Sequence, residues 1–218
     1  MSSEQRIGWK FERSLLKQGA RSIIGIDEAG RGPLAGPVVA AAVLLPLDRT
    51  LPRNCYGFND SKQLDPDRRE ALFEEIKTVA VAVGVGIIDH EEIDKINILR
   101  ATMKAMTSAV RELEAQVIPE HLLIDGNYFR TELSYPYTTI VDGDALCPSI
   151  AAASIVAKVT RDRIMHSLHE QYPGYNFMKN KGYATAEHRE AIKSIGYSPV
   201  HRMSFKLKEQ LQEVLFVE

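Results

Sequence analysis

Residues 22–45 read SIIGIDEAGRGPLAGPVVAAAVLL, and this stretch decides the fold. A short apolar, β-branched run from Ser22 to Ile26 enters an acidic turn, and a second apolar run extends from Gly36 to Leu45. Both runs have the composition of strands, and two strands joined by so short a loop should be antiparallel. The stretch therefore predicts an antiparallel pair with Asp27 and Glu28 where the first strand enters the turn.

Outward from this pair, the spacing of apolar residues predicts further helices and strands. The predicted helices span about 6–17, 61–79, 90–95, 98–114, 148–172, 186–195 and 207–215, and the further strands span about 81–88, 121–124 and 137–141. No internal repeat, linker or low-complexity tract marks a second domain. The order predicts an α/β fold in which helices cover a mixed sheet.

Composition excludes several classes of protein. The 218 residues are 44% hydrophobic and 26% charged, which is ordinary for a soluble globular domain. Two cysteines without CxxC spacing, Cys55 and Cys147, indicate neither a disulfide framework nor a zinc site. No signal pattern and no long apolar run occur, so we expect a cytoplasmic protein that makes no contact with a membrane.

The distribution of charge is more informative than the net charge of −2. Between residues 154 and 206, nine Lys and Arg side chains stand against four Asp and Glu side chains. A basic part beside an acidic site is what the positioning of a phosphate requires.

Carboxylates recur at the ends of predicted strands. Asp27 and Glu28 follow the first strand, Asp125 the fourth and Asp144 the fifth. Acids gathered in this way repel one another, and oxygen-only ligands suit Mg²⁺ or Mn²⁺ rather than zinc. Neighbouring residues of a strand face opposite ways, so either the strand ends at Asp27 or one residue of the pair contributes its carbonyl oxygen. We expect Asp27 to be the central ligand and Glu28 the more peripheral one.

A glycine-rich loop follows the first two acids. Gly30, Gly32 and Gly36 leave backbone N–H groups approachable, as the binding of a phosphate or a ribose hydroxyl would need. The loop matches neither the GxxxxGK[ST] phosphate loop nor the GxGxxG dinucleotide pattern. The sequence therefore disfavours nucleoside triphosphate hydrolysis and hydride transfer.

With these residues in view, the chain resembles ribonuclease HII, the type 2 ribonuclease H of bacteria. The resemblance covers about residues 22–206 and is carried by linked motifs: IDEAGRGPLAGPVVAAAV at 26–43, NDSKQL at 59–64, IDGN at 124–127, GD at 143–144, IAAASIVAKVTRD at 150–162, KGYATAEH at 181–188 and HRMSF at 201–205. It implies an RNase H-like fold, a five-stranded mixed sheet flanked by helices with a small C-terminal helical extension. We accordingly divide the chain into an N-terminal helical extension (1–20), the catalytic domain (21–206) and a helical tail (207–218).

The resemblance also implies the chemistry of the site. The four acids of the family fall on Asp27, Glu28, Asp125 and Asp144, which would hold two divalent cations for phosphodiester hydrolysis. Where the family commonly has Lys before the Gly-Asp pair, this chain has Asp142. Asp142 therefore competes with Asp144 for the fourth position, and the spacing to the following IAAAS favours Asp144.

The implied substrates are RNA–DNA hybrids and DNA duplexes that contain ribonucleotides. By resemblance, Gly30, Arg31 and Gly32 read the 2′-hydroxyl and the adjoining phosphate, and Tyr183 packs against the sugar of the next nucleotide. Phosphate contacts are expected from Ser61 and Lys62, at a predicted helix N-terminus, and from Lys158 on the long helix. Asp162 is the expected helix-face partner of Lys158. The resemblance further implies 5′-phosphate and 3′-hydroxyl products and a role in removing ribonucleotides and RNA primers, and monomer is the default state.

Two alternatives stay open at this point. One is another nuclease on the same fold, such as a junction resolvase or a strand-transfer enzyme, which would cut an all-DNA duplex at a comparable rate. The other is a catalytically inactive nucleic-acid binding module, which would bind normally without cutting in Mg²⁺ or Mn²⁺.

Overall fold

The predicted antiparallel pair is the centre of the sheet in a computed structural model that describes residues 7–47 and 65–205. Strand β1 (Ile23–Ala29) pairs with β2 (Val38–Leu44), and Asp27 lies opposite Ala41. The five strands run in the order β3-β2-β1-β4-β5, with antiparallel pairing from β1 to β3 and parallel pairing from β1 through β4 to β5. The predicted five-stranded mixed sheet with flanking helices is thus confirmed.

The remaining elements follow the predicted order closely. They are α1 (Lys10–Lys17), α2 (Pro66–Val79), β3 (Ala82–Ile88), α3 (His90–Ile96), α4 (Ile98–Glu114), β4 (His121–Asp125), β5 (Tyr137–Ile140), α5 (Gly143–Leu146), α6 (Pro148–Gln171), a 3₁₀ turn (Pro173–Tyr175), α7 (Phe177–Asn180) and α8 (Ala186–Ile195). The short helices α5 and α7 were not predicted, because a single turn leaves no periodic pattern to detect.

Two predicted boundaries are wrong. Strand β1 continues to Ala29 instead of stopping at Ile26 before the acids, so both acids belong to the regular strand. Helix α2 begins at Pro66 instead of Ser61, because Asp65 caps it by accepting a hydrogen bond from the Arg68 N–H, and proline suits the first helical position. Ser61, Lys62, Cys55 and the tail 207–218 lie outside the described residues.

Two helices cover the two faces of the sheet at very short range. Gly86 of β3 leaves room for α4, since a Cβ there would lie 1.9 Å from the Ala105 carbonyl oxygen. Gly25 of β1 does the same for α6, where a Cβ would lie 2.1 Å from the Ser149 carbonyl carbon. Helix α6 therefore lies directly on β1, the strand that carries Asp27 and Glu28, and α4 lies on β3 against the other face of the sheet.

The N-terminal helix α1 completes the start of α6. The N-cap residue of α6, Cys147, makes no side-chain capping bond. Glu12 of α1 is fully buried and its Oε1 accepts hydrogen bonds from the Ser149 N–H (3.2 Å), the Ser149 hydroxyl (2.9 Å) and the Cys147 thiol (3.1 Å). Burial and the neighbouring Glu12 raise the pKa of the Cys147 thiol, so the thiol stays protonated. A carboxyl group at this helix end also complements the helix dipole.

Within residues 7–47 and 65–205, no helix combines the length and the apolar character needed to span a bilayer.

Replacing Glu12 tests this contact. Glu12→Ala leaves the buried donors of residues 147 and 149 without their acceptor, so we expect a loss of about 2–3 kcal/mol in the free energy of unfolding. For a domain of this size that corresponds to a fall in Tm of roughly 5–10 °C, measured by thermal denaturation. Arg13→Ala, an exposed change on the same helix, is the matched control and should shift Tm by less than about 2 °C. Equal Tm values for the two variants would contradict this role.

Candidate active site

Asp27 and Glu28 lie on opposite faces of β1, as strand alternation requires. Asp27 is buried and hydrogen-bonds Ser154 of α6, and its Oδ1 accepts from the Glu28 N–H at 2.7 Å. Glu28 lines a small cavity of about 90 Å³ together with Asp125 and residues of α4 such as Met103. The alternative in which the strand ends at Asp27 is therefore wrong, and the two carboxylates approach the strand end from different sides.

The first three acids nevertheless act on one another electrostatically. Burial raises the pKa of Asp27 well above its usual value, and the charges of Glu28 and Asp125 raise this pKa further. The hydrogen bonds from Ser154 and from the Glu28 N–H act in the opposite direction but do not offset the rise. An ionised Asp27 therefore needs a nearby positive charge.

One backbone hydrogen bond connects Asp125 to the segment that carries the fourth acid. The Gly143 N–H donates to Asp125 Oδ1 at 2.7 Å, and a Cβ on Gly143 would lie 3.1 Å from the same oxygen. Of the two acids beside Gly143, Asp144 is buried in the first turn of α5, whereas Asp142 is exposed and has a left-handed backbone with φ of 55°. The fold thus turns Asp144 into the protein and Asp142 toward solvent.

These donors suit a hard divalent cation in kind, because all of them are carboxylate oxygens and they repel one another while it is absent. In the part of the chain that the structure describes, no three His, Cys, Asp or Glu side chains form a ready-made metal cage. Asp27 and Glu28 approach the end of β1 from its two faces, and Asp125 ends the neighbouring strand β4.

A buried arginine, Arg202, holds the glycine loop from beneath. Its Nη2 donates to the carbonyl oxygens of Gly30 (2.6 Å) and Pro37 (3.1 Å), its Nη1 to Arg31 (3.1 Å) and its Nε to Gly36 (2.9 Å). One rigid guanidinium thus fixes four peptide groups on both sides of the turn.

Arg161 of α6 adds a second buried guanidinium beside the first. It donates from Nε to the Pro37 carbonyl oxygen (3.0 Å) and from Nη2 to those of Ala35 (3.3 Å) and Lys181 (3.0 Å). Gly30, with φ of +99°, gives it room, since a Cβ there would lie 2.1 Å from Arg161 Nε. At this position the loop needs glycine both for its backbone angle and for the space.

The inward-facing carbonyls determine which way the loop's N–H groups face. In a trans peptide the C=O and the following N–H are antiparallel. Because Arg202 holds the carbonyls of Gly30 and Arg31, the N–H groups of Arg31 and Gly32 point away from it. The expectation for Gly36 is wrong, since its N–H donates to the Val200 carbonyl oxygen at 2.9 Å. Neither guanidinium makes an ion pair with another described residue. Burial lowers the pKa of Arg202 to about 9, so it stays charged at neutral pH and the loop has positive charge behind it.

Tyr183 stands beside this loop with its ring partly in solvent. The residue is 46% exposed, its ring lies 3.7 Å from where a Cβ of Gly32 would be, and the ring centroid is 6.0 Å from the Arg161 guanidinium. The exposed ring and its place next to the Gly-Arg-Gly segment are the arrangement that a sugar-packing role needs.

Two buried histidines hold the backbone of Tyr183. His201 Nδ1 accepts from the Ser198 N–H at 2.9 Å, so the proton of its neutral ring is on Nε2 and is donated to His188 Nε2 at 3.0 Å. His188 then carries its own proton on Nδ1 and donates it to the Tyr183 carbonyl oxygen at 2.8 Å. Burial lowers the pKa of both histidines, that of His201 to about 4.

The remaining predicted phosphate contacts are placed less favourably. Lys158 Nζ forms an ion pair with Asp162 Oδ1 at 2.7 Å, the helix-face partner expected from the sequence, and Arg69 approaches the same acid at 3.8 Å. Asp162 thus offsets much of the charge that Lys158 would present to a phosphate, although its ammonium keeps further N–H donors. Ser61 and Lys62 lie outside the described residues, so their roles stay predictions.

Replacing Arg202 with lysine tests the support of the loop. An ammonium group cannot span the carbonyls of residues 30, 31 and 36 at once, so we expect kcat/KM for cleavage of an RNA–DNA hybrid to fall at least about tenfold, or ~1.4 kcal/mol of transition-state stabilisation. Arg163→Lys, the same change at an exposed arginine of α6, is the control and should leave kcat/KM within about twofold. Wild-type kinetics in folded Arg202→Lys would rule out the support role.

The histidine pair predicts a pH-dependent stability. Because the pKa of each histidine is lower in the folded state, the unfolded chain binds more protons between about pH 6.5 and pH 4, and stability falls as the pH falls through that window. We expect His201→Gln to flatten this slope, measured by urea unfolding at several pH values. His166→Gln, a change at an exposed histidine of α6, should keep it. Parallel slopes for wild type and His201→Gln would show that the histidine pair does not cause the pH dependence of stability.

Comparison with known proteins identifies the family of this chain. The family described as Ribonuclease HII matches residues 24–208. A ribonuclease HII of Syntrophus aciditrophicus is 54% identical over 198 residues, which cover 91% of this chain and 90% of that protein. Among solved structures, ribonuclease H2 of Pyrococcus horikoshii OT3 superposes with a TM-score of 0.72 at 25% identity, covering 91% of this chain and all of that one.

A more distant structure shares the fold alone. Bst-RNase HIII in complex with Mn²⁺ superposes with a TM-score of 0.71 at 19% identity, covering 92% of this chain and 72% of that one. With the match over residues 24–208, these likenesses confirm both the predicted RNase H-like fold and the family resemblance. The chain belongs to the ribonuclease HII family of ribonuclease H enzymes.

Proposed function

We propose that this chain is an endonuclease that hydrolyses the RNA strand of RNA–DNA hybrids and cuts on the 5′ side of ribonucleotides embedded in duplex DNA. It leaves 5′-phosphate and 3′-hydroxyl ends and serves the removal of ribonucleotides and RNA primers. One observation carries the proposal: interacting carboxylates at the strand ends lie beside a glycine loop that two buried arginines hold with the N–H groups of Arg31 and Gly32 facing away from them. The catalytic unit is residues 21–206, and the protein acts as a cytoplasmic monomer.

In this proposal Asp27, Glu28, Asp125 and Asp144 hold the divalent cations, Mg²⁺ or Mn²⁺. When bound, such cations supply a water of lowered pKa and neutralise charge on the scissile phosphate. Asp27 is the central ligand, because it is buried and the charges of both Glu28 and Asp125 act on it. Ser154 orients Asp27, and the Gly143 N–H orients Asp125.

Recognition of ribose falls to the loop and the aromatic ring. The 2′-hydroxyl is the group that distinguishes RNA from DNA at a given position. The N–H groups of Arg31 and Gly32 donate to this hydroxyl and to the neighbouring phosphate, and the positive charge of Arg161 and Arg202 strengthens their hold on the anion. Tyr183 packs its ring on the next sugar, which favours a junction between RNA and DNA. This geometry disfavours a resolvase or strand-transfer role, which has no need to read a 2′-hydroxyl.

A duplex DNA with a single ribonucleotide tests the proposal. We expect cutting 5′ of that nucleotide in Mg²⁺ or Mn²⁺, no cutting in chelator and no cutting of the all-DNA duplex. Asp27→Asn, which removes the central charge at equal volume, should lower the rate by at least about a hundredfold, or ~2.7 kcal/mol, while substrate binding persists. Failure of the wild type to cut with either ion would overturn the proposal, and so would equal cutting of the all-DNA duplex.

Two further variants in the same assay isolate the ring. Tyr183→Ala should severely impair the single-ribonucleotide cut with the fold intact by circular dichroism, whereas Tyr183→Phe, which keeps the ring, should stay close to wild type. Unaltered cutting by Tyr183→Ala would remove this residue from the site.

A further inference from the structure

A second, larger groove lies next to the cavity of the carboxylates. It has a volume of about 830 Å³ and runs between α4 and the segment 128–132 that follows β4. Four cationic side chains line it, Arg100, Lys104 and Arg111 from α4 and Arg130 from the facing segment. The site described above uses none of them.

The sequence of α4 explains why these cations share one side. Residues 100, 104 and 111 are four and seven positions apart, a spacing that keeps them on one helix face. The opposite face is buried against the sheet through Ala101, Ala105 and Ala109. The cations are therefore directed away from the core in a row that spans roughly 16 Å along the helix axis.

The other wall of the groove is fastened to α4. Thr131 Oγ1 lies 3.0 Å from Thr107 Oγ1 in a hydrogen bond, and the Arg130 N–H donates to Met103 Sδ at 3.4 Å. These two hydrogen bonds hold the walls of the groove together, so the groove is a fixed concave surface of the fold.

Its charge suits a polyanion. Lys104 pairs with Glu92 and Arg111 with Glu132, each at 2.6 Å. Arg100 and Arg130 are exposed, and neither makes an ion pair with any residue in the described ranges. The groove therefore keeps two unneutralised positive charges, the feature that attracts phosphates.

The groove continues into the candidate active site. Leu99, Met103 and Tyr128 line both the groove and the small cavity that holds Glu28 and Asp125. Tyr128 is 49% exposed at the junction, where its ring can pack on a base or a sugar. The groove and the cavity of the carboxylates are therefore neighbours on the surface, separated only by these shared side chains.

We propose that this groove binds the sugar–phosphate backbone of the nucleic acid beside the cut, with Arg100 and Arg130 as its phosphate contacts. The inference rests on the proposed function and names where the substrate extends beyond the scissile nucleotide. These contacts add affinity without reading sequence, because they address only the backbone.

The salt dependence of binding tests the proposal. Binding of an RNA–DNA hybrid is measured in chelator, which prevents cutting, over a range of KCl concentrations. The double variant Arg100→Gln/Arg130→Gln should bind more weakly at low salt, and the slope of log K against log [KCl] should fall by roughly 1.8, at about 0.9 per lost phosphate contact. The control Arg13→Gln/Lys17→Gln removes two exposed cations of α1 and should keep the wild-type slope.

The outcomes separate the two proposals. An unchanged slope in the double variant, while the wild type still cuts at a ribonucleotide, overturns the groove and leaves the proposed function standing. A reduced slope supports the groove even if the wild type fails to cut. Weakened binding of polyglutamate with hybrid binding unchanged would assign the groove to an acidic protein and overturn the proposal as well.

Discussion

The site depends on two guanidinium groups buried against backbone carbonyls. Arg161 and Arg202 reach the first strand pair from α6 and from the end of the described chain, and both donate to the carbonyl oxygen of Pro37. A buried charge is costly unless hydrogen bonds surround it, and here backbone carbonyls supply them in place of carboxylates, to every nitrogen of Arg202 and to two of the three of Arg161. This choice leaves the charge uncancelled. The same contacts therefore shape the glycine loop and give it a positive field.

Much of the fold was predictable from local patterns. The apolar runs of β1 and β2 and the long alanine-rich α6 are strong periodic signals, and their bounds agree with the structure to within a few residues. The acids at strand ends could be found for the same reason, since a strand followed by Asp and Gly is a local feature. Asp144 is buried and Asp142 is exposed. In the sequence, only the spacing to the following IAAAS distinguished these two acids.

The support of the site was not predictable in the same way. Arg161 and Arg202 were counted among the cations of a basic surface, yet both are buried. Their burial depends on partners more than a hundred residues away in the chain, which a local pattern does not reveal. A signal for Arg161 was present, since it shares a helix face with Ser154 and Ala157 at core-facing positions. The linked histidines His188 and His201 gave no such sign, because their pairing joins α8 to a later loop.

The buried contact of Glu12 has a consequence for the order in which the molecule can form. Its partners at residues 147 and 149 come about 135 residues later in the chain. During synthesis the Glu12 carboxyl group therefore lacks these partners until the start of α6 has been made. Contacts of long sequence separation lower the folding rate of a domain, because the chain loses loop entropy before they form. During synthesis, helix α1 therefore cannot complete its docking until residues 147–149 have left the ribosome.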